Sequence, residues 1–286
     1  MTCFQTFAAI AALAIAVPAG AATCDPVRVM SYNIRLDLES DGVNRWANRR
    51  DQFVGQIKVM QPAILGLQEV VPGQKSDLER TLPGYTFLGL PRDDGKTKGE
   101  YSNLAVDRAV FRIRSSGTFW LSPTPTVPSK AWDAGYPRVA TWAHLVRRSD
   151  GKRVLALNTH LDNSGEQARL LGARQIAKWL SANRAAGEAV VVTGDFNTEP
   201  GTPPVRELTH SALRLRDAHE AAQLTVGPEG TFNNFKAIPD ETRRIDYVLV
   251  DPSLTVRNHA VLAWLIEGGR VASDHFPVVA DLSSCR

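Results

Sequence analysis

The 286-residue sequence predicts one α/β domain built on mixed β-sheets. Three observations carry that expectation. Short apolar, β-branched runs outnumber the amphipathic stretches with helical spacing. Hairpin signals such as Ser149-Asp150-Gly151 sit among longer strand-to-helix crossovers, which mixes antiparallel with parallel pairing. No linker-like run and no internal repeat divides the chain. The composition, 43% hydrophobic and 22% charged, is that of an ordinary globular protein and excludes disorder, collagen and coiled coil. Lys and Arg total 33 against 30 Asp and Glu, a net charge of +3, without the basic excess of a dedicated nucleic-acid scaffold.

Residues 7–17 (FAAIAALAIAV) form an uncharged apolar run too short to span a bilayer. Small residues at 18–22 (PAGAA) then suit signal peptidase. Residues 1–22 are therefore expected to be a signal peptide, although no Lys or Arg precedes the apolar run, and residues 23–286 the exported domain, secreted or periplasmic. The exported part keeps Cys24 and Cys285 near its two ends, and an oxidising compartment favours a disulfide between them over two free thiols. No later stretch approaches the length of a transmembrane helix, and a monomer is expected.

Residues 27–33 (VRVMSYN) read as an apolar strand with a polar end. Trp46, Phe53, Ile57 and Met60 recur at helical spacing over 45–61, and Pro62 stops that helix. Residues 64–68 (ILGLQ) are a short buried strand, while 111–114 and 117–121 resemble the two arms of an antiparallel pair. The hairpin signal joins strands 138–146 and 153–160. Residues 166–183 form the clearest helix, with Leu170, Ala173, Ile176, Ala177 and Leu180 on one face. Strands at 189–193, 245–250, 255–262 and 278–282 complete the set, and the Pro-rich run 122–129 is a surface loop.

The chemistry lies where these strands stop. Asn33, Glu69, Asn158 with His160, and Asp195 with Asn197 each follow an apolar run, and Asp246, Asp274 and His275 flank two others. One such residue is usually a turn former. A series of them converges on one sheet edge, where α/β folds bind ligands. Acids, amides and imidazoles together suit a hard divalent cation such as Mg²⁺, with oxygen ligands and retained waters. The exported part has too few cysteines for a structural zinc site, and no H-E-x-x-H, G-x-S-x-G, Walker or dinucleotide pattern occurs. Metal-assisted hydrolysis survives.

The ordered motifs SYNIR, LQEV, NTHLD, TGDFNTEP, RIDYVLV and SDHFPV, spread from about residue 27 to 282, resemble the endonuclease/exonuclease/phosphatase superfamily, and specifically its exported bacterial members. The resemblance implies a four-layer, deoxyribonuclease-I-like sandwich: two mixed β-sheets face to face, helices outside. It also implies a Mg²⁺- or Mn²⁺-dependent phosphoesterase. Glu69 then matches the principal metal ligand, with Asn33 beside it and Asp274 as a second metal-proximal carboxylate. Asp195 and Asn197 match residues that orient the water and contact the phosphate. His275 matches the histidine that activates the water, with Asp246 holding it, and His160 one that assists the leaving group.

Beyond those motifs, Arg138 is a candidate phosphate clamp or an exposed ion pair. Asn158 either contacts phosphate or holds its strand-end turn, and Asp162 either serves the site or shapes the entry to the following helix. Glu100 is a candidate to orient His160. Trp120, Trp132 and Trp142 read as core, and the pairs Arg49-Arg50, Arg147-Arg148 and Arg243-Arg244 as solvated surface. Loops at 36–44, 91–100, 122–136 and 225–242 would choose among nucleic acid, a phospholipid headgroup and a sugar or inositol phosphate. A diester is favoured slightly, with His160 as proton donor to its alkoxide. The alternatives are a sphingomyelinase-like lipid phosphodiesterase, for which AWLI at 263–266 is the only candidate apolar hairpin, and a non-catalytic phosphate- or metal-binding protein.

Overall fold

The computed structural model of the protein describes residues 25–238 and 243–284. The expected signal peptide and both Cys24 and Cys285 lie outside the described residues. In chain order the elements are β1 (Val27–Asn33), α1 (Arg50–Met60), β2 (Ile64–Val70), α2 (Pro72–Thr81), β3 (Tyr85–Leu88), β4 (Tyr101–Asp107), β5 (Phe111–Trp120), β6 (Val139–Arg147), β7 (Arg153–His160) and α3 (Glu166–Asn183). They continue with β8 (Ala189–Asp195), α4 (Pro203–Thr209), β9 (Arg216–Asp217), α5 (Ala218–Ala221), β10 (Leu224–Val226), β11 (Asp246–Val250), β12 (Thr255–Val261), β13 (Leu265–Ile266), β14 (Arg270–Val271) and β15 (Val278–Ser283).

A seven-stranded sheet runs β10-β12-β15-β1-β2-β4-β3 and a six-stranded sheet β5-β6-β7-β8-β11-β9. Both are mixed, since β1–β2 and β7–β8 are parallel among antiparallel neighbours. Val29, Ile64, Leu104 and Val106 of the first sheet pack against Leu145, Ala156, Val191 and Val248 of the second. Phe53, Ile57 and Leu78 attach α1 and α2 to the outer face of the first sheet. Ala173, Ile176 and Leu208 attach α3 and α4 to the outer face of the second. The result is the expected four-layer sandwich.

Where Gly66 and Asn158 meet between the sheets, the interior is polar. A Cβ on Gly66 would come within 2.0 Å of Thr193 Oγ1 and 2.5 Å of Asn158 Oδ1, so only glycine lets the sheets close there. The Asn158 amide donates to Leu67 O and Asn103 O, and its oxygen accepts from Gln68 Nε2 and Thr193 Oγ1. Its hydrogen-bonding capacity is used up in bridging the sheets. Asn158 is an inter-sheet brace rather than a phosphate contact.

Several elements differ from the sequence reading. The two arms expected at 111–121 are one strand, β5, with a bulge between Ile113 and Ser115, and its partner is β6. The 45–61 helix is a short 3-10 turn (Trp46–Asn48) followed by α1, which ends on Gln61 in the left-handed region. Two of the basic pairs are not solvated, because Arg49 and Arg244 are 1% and 4% exposed. Arg244 is buried against Asp217, 2.6 Å away. The AWLI segment enters a small β13–β14 hairpin whose tip is Glu267–Gly269, polar rather than apolar. Among the described residues no helix is long and apolar enough to cross a membrane.

Candidate active site

Strand register assembles the site. Asn33 of β1 pairs with Gln68 of β2, which sets Glu69 at the same edge. On the other sheet Asp195 of β8 lies between His160 of β7 and Asp246 of β11, paired directly with both. Asp274 and His275 arrive on the loop before β15, where His275 bridges to Phe232. Five residues at this edge, Arg35, Glu69, Asn197, Asn234 and Phe235, hold φ between 50° and 63° without being glycine, with Arg35, Glu69 and Asn197 at 56°, 63° and 50°. Each such conformation costs on the order of 1–3 kcal/mol and persists only where surroundings enforce it, typically at functional sites.

Two groupings meet in a cleft of about 570 Å³. In the first, Asn33 Nδ2 donates to Glu69 Oε1 and to Asp195 Oδ2, both at 3.0 Å. Backbone N–H groups of Arg35 and Leu36 donate to Asn33 Oδ1 and Glu69 Oε2. Asp274 lies 3.7 Å from the Arg35 guanidinium. In the second, His275 Nδ1 is 2.8 Å from Asp246 Oδ2 while its Nε2 faces Asp195 Oδ2 at 3.7 Å.

The electrostatics separate their roles. Burial resists charging of His275, but Asp246 and Asp195 outweigh it and push the imidazole up to about 10. Burial, then repulsion from Asp246, raises Asp195 to about 7 against the pull of His275. At neutral pH the proton of this pair therefore sits on His275. Burial, then the positive charges of Arg138, Arg92 and His275, holds His160 well below its usual range, so it is neutral. Its Nε2 accepts from Asn197 Nδ2 at 2.9 Å. The second Asn197 N–H goes to Leu161 O, so Asn197 orients His160 and has no N–H left for a phosphate.

Asp195, Asp246 and His275 bring ligand atoms within 4.8 Å of one another. His275 Nδ1 is engaged by Asp246 and its Nε2 faces Asp195, which makes the three a proton-handling chain. Glu69 and Asp274 instead offer only oxygens, and Asn33 adds an amide oxygen that also accepts from the Arg35 N–H. Burial raises Asp274 despite His275 and Arg35 beside it, and Glu69 adds to the rise, so a hard divalent cation would relieve the two neighbouring carboxylates. The donor set fits Mg²⁺ or Mn²⁺.

The rim is cationic. Arg138 is 5% exposed and held by Asp162 and Asn163, each at 3.0 Å. Asp162 also accepts from the N–H groups of Gly135, Ser164 and Gly165, and it is held down at about 2: these bonds and Arg138 outweigh its burial. It thus both shapes the turn before α3 and fixes Arg138. Glu100 pairs with Arg92 at 2.7 Å rather than with His160. The Arg92 guanidinium lies 4.6 Å from the Tyr136 ring, which is 52% exposed in the cleft. Trp120, in contrast, is buried, with Nε1 on Arg92 O.

Residues 30–275 match the sequence profile of the endonuclease/exonuclease/phosphatase family. The chain belongs to that family. A solved family protein of Bacteroides thetaiotaomicron is 33% identical, with a TM-score of 0.86 over 91% of this chain and 98% of that one. A mannosyl-6-phosphatase of the same organism is 35% identical, with a TM-score of 0.84 over 90% of this chain and 99% of that one. An uncharacterized protein of Acanthamoeba polyphaga mimivirus is 25% identical over 272 residues, 88% of this chain and 98% of its own.

All the motif residues that suggested this family except Asn158 face one cleft or the hydrogen-bond network behind it. Arg35, Arg92 and Tyr136 in the cleft wall were not singled out by sequence. Arg35 follows Asn33 and Tyr136 precedes Pro137-Arg138, so adjacency to motif residues was the available signal. Arg92, in the 91–100 loop, carries none.

Proposed function

We propose that the protein is an exported, divalent-metal-dependent phosphoesterase acting on a phosphate monoester carried by a sugar. One observation carries the catalytic part: an Asp246–His275–Asp195 chain abutting the Asn33, Glu69 and Asp274 oxygens in a single cleft. Glu69, Asp274 and the Asn33 amide oxygen would hold Mg²⁺ or Mn²⁺, which supplies polarisation of the phosphate and charge relief at the leaving oxygen. Asp195, raised to about 7, is matched to accept the proton of the attacking water. His275, kept as an imidazolium by Asp246, donates a hydrogen bond to a phosphoryl oxygen as charge builds there, while the departing sugar oxygen takes its proton from solvent water and Asp195 returns to solvent the one it accepted. That reverses the sequence expectation, in which His275 took the proton. Arg138, immobilised by Asp162, offers its remaining N–H groups to the phosphate.

The monoester reading replaces the sequence preference for a diester. That preference rested on His160 as proton donor, but a neutral imidazole accepting from Asn197 is no acid for either ester, so the choice falls to the charges around the cleft. Arg35, Arg92 and Arg138 around one cleft suit a doubly charged terminal phosphate, and the exposed Tyr136 ring suits a sugar face. The 35% identical mannosyl-6-phosphatase supports the same class. The polar tip of the β13–β14 hairpin argues against entry into a lipid interface.

The deciding experiment is turnover by residues 23–286 with Mg²⁺ or Mn²⁺, an EDTA control, and a panel of mannose 6-phosphate, p-nitrophenyl phosphate, bis-p-nitrophenyl phosphate, plasmid DNA and sphingomyelin vesicles. EDTA-sensitive phosphate release from the sugar ester is expected. Faster cleavage of a diester would overturn the monoester reading. No turnover of any member would favour a non-catalytic binding protein. Export is tested by N-terminal sequencing of the protein recovered outside the cytoplasm.

A further inference from the structure

Arg49, one of the two arginines in NRR, is the largest fully buried side chain described in the protein, 1% exposed. Its bonds all run to carbonyl oxygens: Nε to Asn44 O at 2.8 Å, Nη1 to Ile34 O and to Ala272 O, and Nη2 to Arg35 O at 2.7 Å. The ring of Trp46 covers it at 5.2 Å and that of Phe235 at 5.8 Å. A buried guanidinium is costly to desolvate. A fold that merely needed a plug between α1 and the sheet would fill the space with an apolar side chain.

The acceptors explain its presence. Ile34 O belongs to the same peptide unit as the Arg35 N–H, and that N–H donates to Asn33 Oδ1 at 3.0 Å. Arg35 O shares its unit with the Leu36 N–H, which donates to Glu69 Oε2 at 3.1 Å. Peptide units are planar, so gripping the carbonyl end fixes the direction of the N–H end. A donor bound to an already polarised peptide also holds its acceptor more strongly. Between the two units lies Arg35 with φ of 56°, a conformation that must be enforced. The grip on Ala272 O ties the same turn to the loop bearing Asp274, in parallel with the bond from Ser273 Oγ to Asn33 O at 2.7 Å.

We propose that Arg49 is a positioning residue for the cation-binding oxygens: through two peptide planes it aims Asn33 and Glu69, and through Ala272 it sets the Asp274 loop against them. The assignment rests on the reading of those oxygens as the metal set. Lysine keeps the charge but offers its donors from a single atom, without the fork that reaches carbonyls on separate segments. Methionine removes charge and donors together.

The test is Mn²⁺ affinity by electron paramagnetic resonance and calorimetry for wild type, Arg49→Lys, Arg49→Met and Glu69→Gln, each with its melting temperature. Wild type should bind Mn²⁺ and Glu69→Gln should lose most of that binding. Arg49→Met should bind about 10- to 100-fold more weakly, the range seen when outer partners of metal ligands are removed. Arg49→Lys should fall between, with turnover of p-nitrophenyl phosphate recovering at saturating Mn²⁺. A folded Arg49→Lys and Arg49→Met with wild-type affinity would overturn the positioning role alone, whatever their melting temperatures. No Mn²⁺ binding by wild type would overturn the metal reading and this inference together. If neither Arg49 variant folds, Gln74→Met decides, because Gln74 Nε2 supports the same Arg35 carbonyl at 2.8 Å. A threefold weaker affinity is expected there, and an unchanged one overturns the inference.

Discussion

His275 and Asp246 share a hydrogen bond of 2.8 Å from Nδ1 to Oδ2, and both side chains are buried. The carboxylate fixes the imidazole's orientation and keeps it charged, which leaves Nε2–H directed at Asp195 and the cleft. Asp246→Asn removes the charge while keeping the shape. We expect kcat to fall by about 10²–10⁴ with KM changed little, the range typical of a misadjusted acid–base group. Steady-state kinetics on a generic phosphoester, with circular dichroism to confirm folding, checks this. A rate within tenfold of wild type would refute the role assigned to the pair.

Much of this dyad was legible in sequence because strand ends concentrate polar residues, and IDYVLV and SDH stand out against apolar runs. The α3 helix was legible to the residue, since its apolar positions repeat on one face and Gly165 precedes it. Strand β5 was not, because Ser115-Ser116-Gly117 has turn chemistry that the pairing with β6 overrides. Helix α2 buries little beyond Gln74 and Leu78, which leaves no periodic signal to read. Arg49 was hidden for a different reason. A dibasic pair reads as surface, and nothing local reveals that its acceptors lie on segments as distant in sequence as Ala272.

Cation binding should depend on pH with a definite sign. Burial raises the ligand Asp274, so it holds its proton to higher pH than an exposed carboxylate. A divalent cation must displace that proton, and its affinity therefore weakens as pH falls. The apparent Mn²⁺ affinity should drop steadily on acidification, with proton release that calorimetry in buffers of different ionisation enthalpy can count. A pH-independent affinity would contradict the assignment.

Arg138 and Asp162 should behave as one unit. Asp162→Asn weakens the charged hydrogen bond that aims the guanidinium while preserving the bonds from Gly135 and Gly165 to the other oxygen. Arg138→Lys keeps a charge but loses the fork. Each should raise KM for a phosphate monoester by about 10-fold, equivalent to about 1.4 kcal/mol, and the double variant should cost less than the product of the singles. Strictly multiplicative effects would mean the two act independently.

His259, 3% exposed on β12, sets an acid limit to stability. Burial, then His219 and Arg244, lowers it from 6.5 to about 3. The folded protein thus refuses a proton that the unfolded chain takes up below about pH 6.5, so stability is complete above that pH and declines as pH falls toward 3. The slope approaches about 1.4 kcal/mol per pH unit from this group. His259→Leu should flatten the melting temperature against pH over that window. An unaltered acid slope in the variant would exonerate the histidine.

The pairing of β1 with β15 bears on the two cysteines. Val27 faces Leu282 and Arg28 faces Asp281 in an antiparallel register. Cys24 stands three positions before Val27 and Cys285 three positions after Leu282, so each lies equally far beyond the same paired residues. Arg147 bonds to Asp25 O and Lys152 to Ser284 Oγ, which ties both described ends to the β6–β7 hairpin. If the protein is exported as proposed, we expect it to carry a Cys24–Cys285 disulfide, visible as an intact mass about 2 Da below the dithiol form. Closing nearly the whole chain into one loop predicts a stabilisation of about 5 kcal/mol at most, since native strain and residual structure reduce the entropic effect. Dithiothreitol should therefore lower the melting temperature of wild type and leave Cys24→Ser unaffected. Two free thiols in protein recovered from an oxidising compartment would end this expectation, and with it one of the supports for export.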